Sequence, residues 1–557
     1  MKKINFKVIL GLIVTTLLLS ACGKGGGLYD DSGQTYRVAT SSDMNTLDTV
    51  LATDTVSFTI YNQVFEGLYT LNGKDEAIPG IAKGDPKESN NGKTLTIKLR
   101  KNAKWSNGDP VTAHDFVFAW RKAVDPKTAS EYAYIMYDIK NAEDINLGKH
   151  GKKPKDLGIK ALDDYTLKID LTKPIPYFKQ MLAFGTFMPQ NEKAVKKYGD
   201  KYGTTAEKVV YNGPFKVSKW AVEDKIMLTK NDNYWDKKAV KLDRVNYKIL
   251  KDTQAGASLY DTNSVDSAGI TSEQVDKYKD DPGLFKRLIA STFFLKMNEK
   301  QQPEFKNRDM RLAIAQSVNK RDYVNEVLGT GAKPFDGFTA RDTVKTPEGK
   351  DYASTVKSPL KFNPKEAKQH LNKAKKALGK DKFTFTLNTE DTPDSKISAE
   401  FIKSQIESNL PGVTVKIKQL PFKQRVEAEL SMNYSMSLSG WGPDYPDPTT
   451  FLDTMTTGNA QNNTGWGSKE YDNLLKKANG ELLQKPKERF ATMRQAEELF
   501  LNDAPVAPIY QKGTATLRNP QVKGIEYHQI GGDYSLKNVH IDKSIDRKTG
   551  KKKKDEN

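Results

Sequence analysis

The stretch from 383 to 438 alternates strand patterns with helix patterns, and this alternation limits the possible folds more than any other feature. Apolar residues occupy every second position of its strand segments, which is the period of a half-buried strand. The predicted order is strand (383–387), helix (395–409), strand (413–417), helix (422–430) and strand (436–438). This order is typical of a parallel α/β unit. The sequence therefore predicts an α/β fold for this half of the chain.

A stiff loop, SGWGPDYPDP at 439–448, follows the last of these strands. Three prolines restrict its backbone, and Asp444 and Asp447 place two carboxylates in that frame. Ligands of open α/β sheets bind at the carboxyl ends of the strands, which is where this loop begins. We therefore predict that Asp444 binds the ammonium group of a bound peptide. The alternative is that both aspartates only form turns.

The size and the charge of the chain narrow its class. At 557 residues it is longer than one hydrophobic core usually serves, which predicts two or three domains. The formal net charge is +18, but the lysines are spread over nearly every polar stretch. A nucleic-acid-binding protein would cluster its cations and interleave aromatic residues among them. We interpret the charge as a solvated surface facing an anionic cell envelope and expect no nucleic acid as a partner.

The N-terminal segment has the pattern of a secretion signal. Three lysines precede an apolar run at 8–19, which is too short to span a bilayer. The run ends in Leu-Ser-Ala-Cys-Gly and resembles the bacterial lipoprotein signal, in which the cysteine is diacylated. Cys22 is the only cysteine of the chain, which favours a lipoprotein over an ordinary secretory signal. The resemblance implies a signal at 1–22, a flexible tether at 23–35 and a stable anchor of two acyl chains.

Further secondary structure is predicted along the mature chain, without a second apolar run long enough for a membrane span. Strands are predicted at 36–39, 95–99, 165–171, 215–220, 226–228, 245–249 and 505–516, and helices at 55–68, 116–124, 309–328 and 488–502.

Motifs of metal binding and catalysis are missing from the sequence. None of the five histidines lies at metal-ligand spacing from another, and we find no phosphate-binding loop, nucleophile elbow or dinucleotide fingerprint. We therefore expect a protein that needs no cofactor or metal and is not an enzyme. A secreted hydrolase stays open as an alternative, because acidic pairs such as Asp163 and Asp164 occur, although adjacency in sequence says little about catalysis.

The block at 82–116 resembles the signature of a known family. From Thr94 onward it reads TLTIKLRKNAKWSNGDPVTAHDF. FEGL at 65–68, NGPF at 212–215 and RLA at 311–313 agree with it, and Gly-Trp at 440–441 falls where the family places its ligand amine anchor. On these residues the chain resembles, over nearly its whole mature length, the oligopeptide-binding extracellular proteins of bacterial ABC importers (family 5 type).

This resemblance implies a two-lobed α/β fold of the periplasmic-binding-protein type, with two hinge strands. The implied divisions are a first lobe (36–290), its inserted subdomain (about 76–200), a second lobe (291–506), a return to the first lobe (507–545) and a basic tail (546–557). The hinges would lie near 289–293 and 507–510, and the lobes would close over the ligand by hinge motion.

The resemblance also implies the function. The protein would be a lipid-anchored monomer on the outer face of a Gram-positive cell membrane, and would deliver oligopeptides to the permease and ATPase subunits of an ABC importer. The peptide would pair its backbone with protein strands, and Asp444 would bind its N-terminal amine. The implied ligand-binding residues are Asp444, Trp441, Gly442, Tyr445, Tyr132, Thr53 and Thr55.

One position departs from the family pattern. Some members carry an arginine three residues before the tryptophan for the ligand carboxylate, and here that residue is Leu438. Whether the ligand C-terminus is clamped therefore stays open. A peptide-pheromone sensor stays open as an alternative function. Of the other ligands bound by this fold (nickel, haem or sugar), the metal is disfavoured by the lack of clustered His and Cys, and Asp444 favours a ligand that carries an amine. For Tyr132 and Trp441, core packing is the alternative to ligand binding.

Overall fold

The computed structural model describes residues 33–553. The predicted lipoprotein signal with Cys22, most of the predicted tether and residues 554–557 of the basic tail lie outside the described residues. Within 33–553, every helix is too short or too polar to cross a membrane.

The β-strands form the framework of the molecule. In chain order they are β1 (Thr35–Thr40), β2 (Tyr69–Leu71), β3 (Ala77–Pro79), β4 (Lys87–Ser89), β5 (Thr94–Lys98), β6 (Ile159–Asp163), β7 (Thr166–Asp170), β8 (Phe215–Ala221), β9 (Lys225–Lys230), β10 (Arg244–Ile249), β11 (Ser267–Gly269), β12 (Leu284–Met297), β13 (Lys333–Pro334), β14 (Phe383–Glu390), β15 (Val413–Leu420), β16 (Met436–Trp441), β17 (Val506–Arg518), β18 (Val522–Lys523), β19 (Glu526–Tyr527), β20 (Tyr534–Ser535) and β21 (His540–Ile541).

The α-helices lie in the connections between the strands. They are Thr55–Val64, Ala113–Val124, Ala142–Asn146, Phe178–Met181, Glu192–Tyr198, Thr253–Asp261, Ser272–Val275, Arg308–Gln316, Lys320–Asp322, Pro364–Leu378, Pro393–Asn409, Phe422–Leu430, Thr449–Leu452, Lys469–Ala478 and Pro486–Asp503.

One sheet of 11 strands runs through the molecule in the order β15-β14-β16-β12-β17-β11-β1-β10-β9-β8, with β13 paired to β17. Strand β14 is parallel to both β15 and β16, as the alternation over 383–438 predicts. At the other end, β1 is parallel to both β10 and β11. A separate sheet of four strands, β4-β5-β7-β6, lies within the region predicted as an inserted subdomain.

Two large hydrophobic cores divide the molecule into two lobes. The first contains buried residues from Tyr36 to Ile249, with Val522, Leu536 and Val539 of the returning chain, and it also includes Tyr445 and Leu483 from the second lobe. The second contains buried residues from Ala290 to Tyr510. In β14 the alternate residues Phe383, Phe385 and Leu387 face this second core, and full burial of each such side chain stabilises the fold by about 1.5–3 kcal/mol.

Among the strands of residues 33–553, β12 and β17 are the two that run through both lobes, and the predicted lobe boundaries at 290/291 and 506/507 fall within them. They pair with each other, but their register shifts between Leu288 and Thr292, where the partners change from Gly513 to Gln511. The interrupted ladder lies between the cores and makes this the place where the pair is least constrained.

One sequence prediction needs correction. The predicted helix at 309–328 is broken: a helix ends at Gln316, and the side chain of Asn319 caps a new one by accepting a hydrogen bond from the Asp322 amide. The described part of the basic tail packs on the first lobe, because Arg547 forms a salt bridge with the buried Asp266.

Candidate ligand-binding site

A cavity of about 270 Å³ lies between the lobes, on the floor formed by β12 and β17. The first lobe contributes 53–56, Phe58 and Tyr132, and the second lobe contributes Glu390, part of the helix Phe422–Leu430 and the end of β16 with its loop. A cleft between domains with a few convergent polar groups is a usual place for a ligand.

Asp444 is the most unusual group in this cavity. Its side chain is buried, at 4% exposure for the residue, and its Oδ1 accepts a hydrogen bond of 3.2 Å from the hydroxyl of Tyr132. Burial raises the pKa of Asp444 well above the usual 3.8. Among residues 33–553, no cationic side chain is paired with this carboxylate. A buried carboxylate without a counter-ion is strongly disfavoured in its charged form, and a cation in the cavity would stabilise that form.

Asp447, three residues later, shows the opposite arrangement. The guanidinium of Arg489 binds its carboxylate in a bidentate manner, at 2.6 and 2.8 Å. The hydroxyl of Thr449 also donates a hydrogen bond to it, at 2.7 Å. Asp447 therefore fixes the loop onto the helix Pro486–Asp503, and the turn-forming alternative describes this aspartate well.

Close backbone packing positions the loop. A Cβ atom on Gly440 would lie 2.8 Å from the ring of Phe293, and one on Gly442 would lie 2.9 Å from the hydroxyl of Ser291. Trp441 closes β16, where its Nε1 donates to the carbonyl of Thr450 at 2.8 Å. These contacts hold the backbone of β16 against β12 and leave the end of the strand facing the cavity.

Six of the seven predicted ligand-binding residues line this one cavity: Thr53, Thr55, Tyr132, Trp441, Gly442 and Asp444. The rings of Tyr132 and Trp441 stack across it, with centroids 6.0 Å apart and planes at 11°. Tyr445 lies elsewhere, because its ring stacks on Tyr177 at 4.9 Å in the core behind the loop. The placement of Tyr445 in the ligand site is therefore corrected.

Thr53 and Thr55 flank Asp54, which is buried at the N-terminus of the helix Thr55–Val64. Its carboxylate accepts hydrogen bonds from the amide and the hydroxyl of Ser57, both at 2.8 Å. Asp54 is thus occupied as a helix cap, a common stabilising role, and is not available to a ligand in the way that Asp444 is.

A group of paired charged side chains on the second lobe, the charged wall formed by Lys296, Arg425, Glu429 and Glu390, could not be predicted from the sequence. The ammonium of Lys296 lies 3.1 Å from Glu429, whose other oxygen pairs with Arg425, and Arg425 reaches Glu390 at 3.5 Å. Burial alone would raise the pKa of Glu429, but the two cations and the hydroxyl of Ser437 lower it to about 2. No local motif could have revealed this wall, because β12 brings Lys296 next to a helix more than a hundred residues away.

Contacts across the cleft show that the lobes are closed. Besides the bond from Tyr132 to Asp444, the amide of Gly531 donates to the carbonyl of Pro443 at 2.9 Å. At the rim of the cleft, Lys251 pairs with Asp391, and Thr253 donates to Asp394 at 2.7 Å. The described residues contain no cluster of three or more His, Cys, Asp or Glu side chains suited to a metal ion.

Comparison with known proteins shows the family to which a chain with this fold and this cleft belongs. Residues 76–463 match the family model described as bacterial extracellular solute-binding proteins, family 5 Middle. The chain belongs to this family. The resemblance predicted from the block at 82–116 is therefore confirmed, and so is the expectation that this solute-binding protein is not an enzyme.

Individual relatives extend the match to nearly the whole chain. A dipeptide-binding protein of Lactococcus lactis subsp. cremoris (strain MG1363) is 34% identical over 546 residues, which are 95% of this chain and 98% of that protein. The substrate-binding domain of an oligopeptide ABC transporter from Bacillus anthracis str. Ames superposes with a TM-score of 0.89 at 42% identity, covering 92% of this chain and 99% of that one.

Listeria monocytogenes OppA bound to peptide superposes with a TM-score of 0.88 at 37% identity, covering 92% of this chain and 100% of that one. The predicted two-lobed α/β fold is confirmed by these structures. The solute-binding protein described here therefore has its lobes arranged much as they are in a relative that holds a peptide.

Proposed function

We propose that this solute-binding protein encloses peptides between its lobes and delivers them to an ABC importer. The observation that supports this most is the buried carboxylate of Asp444, which has no counter-ion among the described residues of a closed cleft. Every peptide with a free N-terminus carries one ammonium group, and this group supplies the missing charge. The names of the relatives agree, since one is a dipeptide-binding protein and another holds a peptide.

The backbone of the peptide has a strand edge to pair with. Strand β16 pairs with β12 as far as Trp441, but with β14 only at Met436 and Ser437. The last residues of β16 therefore have one edge without a strand neighbour among the described strands. An extended peptide that adds to this edge is recognised by its main chain, so binding depends little on the identity of its side chains.

The relative strengths of these contacts assign Asp444 its role. A neutral hydrogen bond contributes a net ~1 kcal/mol, and a bond to a charged group about 1.5–3 kcal/mol. The ammonium contact with Asp444 therefore fixes the register of the peptide more than any single backbone bond. Closure of the lobes excludes water and strengthens this contact. Tyr132 and Trp441 flank the first residues of the ligand, with Thr53, Thr55 and Gly442 completing the walls.

The proposal also covers the membrane anchor, the oligomeric state, the cellular location and the division of the chain into lobes. Cys22 carries the lipid anchor, the segment at 23–35 is the tether, and the protein works as a monomer on the outer face of a Gram-positive cell membrane, beside the permease and ATPase subunits of the importer. The lobes are 36–290 with 507–545, and 291–506. Delivery of a peptide pheromone uses the same site and is a use of this function rather than a different chemistry.

Native mass spectrometry of the purified protein tests the proposal. We expect a family of masses above that of the bare chain, which collapses to the bare mass on denaturation and is identified as peptides by fragmentation. The Asp444→Asn variant should lose most of these peptides. A wild-type protein that carries no peptide, and whose melting temperature does not change with a mixed library of di- to hexapeptides, would contradict the function.

A separate experiment tests the anchor. The Cys22→Ser variant should be released from the membrane fraction and should lack the mass of a lipid group. If that variant stays membrane-bound and lipidated, the anchor is at another place.

A further inference from the structure

The cavity holds three cationic side chains, and two of them are already neutralised. Lys296 pairs with Glu429 and also donates to Asn463 at 2.7 Å. Arg425 pairs with Glu429 and with Glu390. These cations are buried within the second lobe, and because Glu429 and Glu390 neutralise them, they are not available to bind a ligand carboxylate.

Lys512 is the third cation, and its situation differs. It lies on β17 between Gln511 and Gly513, where the ladder with β12 is interrupted. Its ammonium lies 5.7 Å from the centre of the Phe293 ring, which also lines the cavity. Within residues 33–553, no carboxylate is paired with it. The side chain of Gln511 binds the carbonyls of Ile289 and Arg341 at 3.0 and 3.1 Å, which fixes the backbone that carries Lys512.

The carboxylates of the cavity also comprise some that already have polar or ionic partners and some that have no salt bridge among the described residues. Asp54 is a helix cap, and Glu390 and Glu429 are paired with the cations of the charged wall. Asp533 forms no salt bridge within 4.0 Å among the described residues, although its charge acts on Arg287, and it is only partly buried. Asp444 alone is both buried and without a cation. Among the described residues that line the cleft, the charged groups without a salt bridge are therefore Asp444, Lys512 and Asp533, of which Lys512 and Asp533 are both partly exposed.

We propose that Lys512 binds a carboxylate of the ligand and that it selects peptides for this group. This inference rests on the proposed function, because Asp444 is taken to hold the ammonium of the same peptide. A peptide is a zwitterion, and an unpaired anion and an unpaired cation in one cavity match its two ends. Leu438 leaves the second lobe without an arginine for this purpose, and Lys512 on the hinge floor supplies a cation from another element.

The carboxylate can come from the C-terminus of the peptide or from an acidic side chain. Both sources offer the same acceptor to the ammonium, and a bond to a charged group of this kind changes affinity by about tenfold or more.

Affinity selection from peptide libraries, followed by mass spectrometry, tests the inference. The probes are one library of di- to hexapeptides with free C-termini, the same library with amidated C-termini, and paired peptides that differ only by Glu or Gln. The variants are Lys512→Gln, Lys512→Arg and a control, Lys286→Gln, which changes a lysine of β12 outside the cavity. Unchanged melting temperatures show that the variants are folded.

We expect the wild type, Lys286→Gln and Lys512→Arg to prefer free over amidated C-termini, or Glu over Gln peptides, by about tenfold. Lys512→Gln should lose that preference, and which preference is lost identifies the source of the carboxylate. If Lys512→Gln keeps both preferences, or the wild type has neither, Lys512 has no such role.

Selection for the free N-terminus of the peptide distinguishes a failure of this inference from a failure of the proposed function. Lys512→Gln should still prefer free over acetylated N-termini, because Asp444 is intact. A wild type that selects no peptide from any library would overturn the proposed function and this inference together, whereas selection by the amine alone would overturn only this inference.

Discussion

The hydroxyl of Tyr132, on the first lobe, donates a hydrogen bond of 3.2 Å to Oδ1 of Asp444, on the second lobe. This bond spans the cleft and exists only when the lobes are closed. Closure therefore buries the carboxylate and orients it in one step. Tyr132 also stacks on Trp441, so the same side chain forms a wall of the cavity and positions its central charge.

Replacing Tyr132 by Phe tests this bond with little change in shape. The ring and its stacking remain, but Asp444 loses its donor. We expect the peptide dissociation constant to rise about fivefold, which corresponds to one hydrogen bond of ~1 kcal/mol. Isothermal titration calorimetry measures it. Tyr445→Phe is a matched control, since that ring lies behind the loop, and an equal effect of both variants would argue against the orienting role.

Asp444→Asn should stabilise the empty protein while it weakens peptide binding. In the folded chain the pKa of Asp444 is raised by burial, so the folded state holds its proton more tightly than the unfolded chain. Stability is therefore lost as pH rises from about the unfolded value of 3.8 through the raised pKa. We expect a gain of about 0.5–2 kcal/mol at neutral pH that shrinks in acid, measured by urea unfolding of peptide-free protein. A loss of stability at neutral pH would contradict this.

Glu429→Gln should destabilise the second lobe strongly. It leaves Lys296 and Arg425 buried without their shared anion, and breaking such a pair costs about 3–5 kcal/mol. Because the folded pKa of Glu429 is about 2 against an ordinary 4.5, its contribution is complete above pH 4.5 and is lost as pH falls toward 2. Denaturant unfolding measures both effects. Glu427→Gln, on the exposed face of the same helix, should change stability by less than about 0.5 kcal/mol.

Lys251→Ala should weaken peptide binding without touching the cavity. Lys251 and Asp391 pair across the rim of the closed cleft and are only partly exposed, at 40% and 30%. Such a pair contributes at most about 1 kcal/mol, so the dissociation constant should rise up to about fivefold, and less in high salt. Lys248→Ala removes a similar pair with Asp224 that lies within the first lobe, and it should leave affinity unchanged. Equal effects of both would show that the rim pair does not favour closure.

Sequence patterns predict the elements of this molecule better than they predict its contacts. The apolar alternation at 383–387 and 413–417 predicts β14 and β15, and the helix between them in the sequence predicts that they are parallel, as they are in the structure. The end of β16 then places Asp444 at the mouth of the cleft. The same reasoning cannot show that Asp444 lacks a cation while Asp447 has Arg489, since that depends on a helix forty residues away.

Where the structure differs from the sequence predictions, each difference has an identifiable physical cause. The predicted helix at 309–328 is broken because Asn319 begins a new helix with its own side chain, although the apolar pattern continues through it. Tyr445 lies in the recognised motif but turns into the core against Tyr177. The wall of Lys296, Arg425 and Glu429 depends on long-range packing alone.

The most direct test of the account compares one peptide in two forms, with a free and with an acetylated N-terminus, on the wild type and on Asp444→Asn. The peptide is one identified by native mass spectrometry, and calorimetry gives the four dissociation constants. We expect acetylation to weaken binding to the wild type by about tenfold or more and to have little further effect on the variant. Equal affinity of the wild type for both forms would contradict the central claim that Asp444 binds the ligand amine.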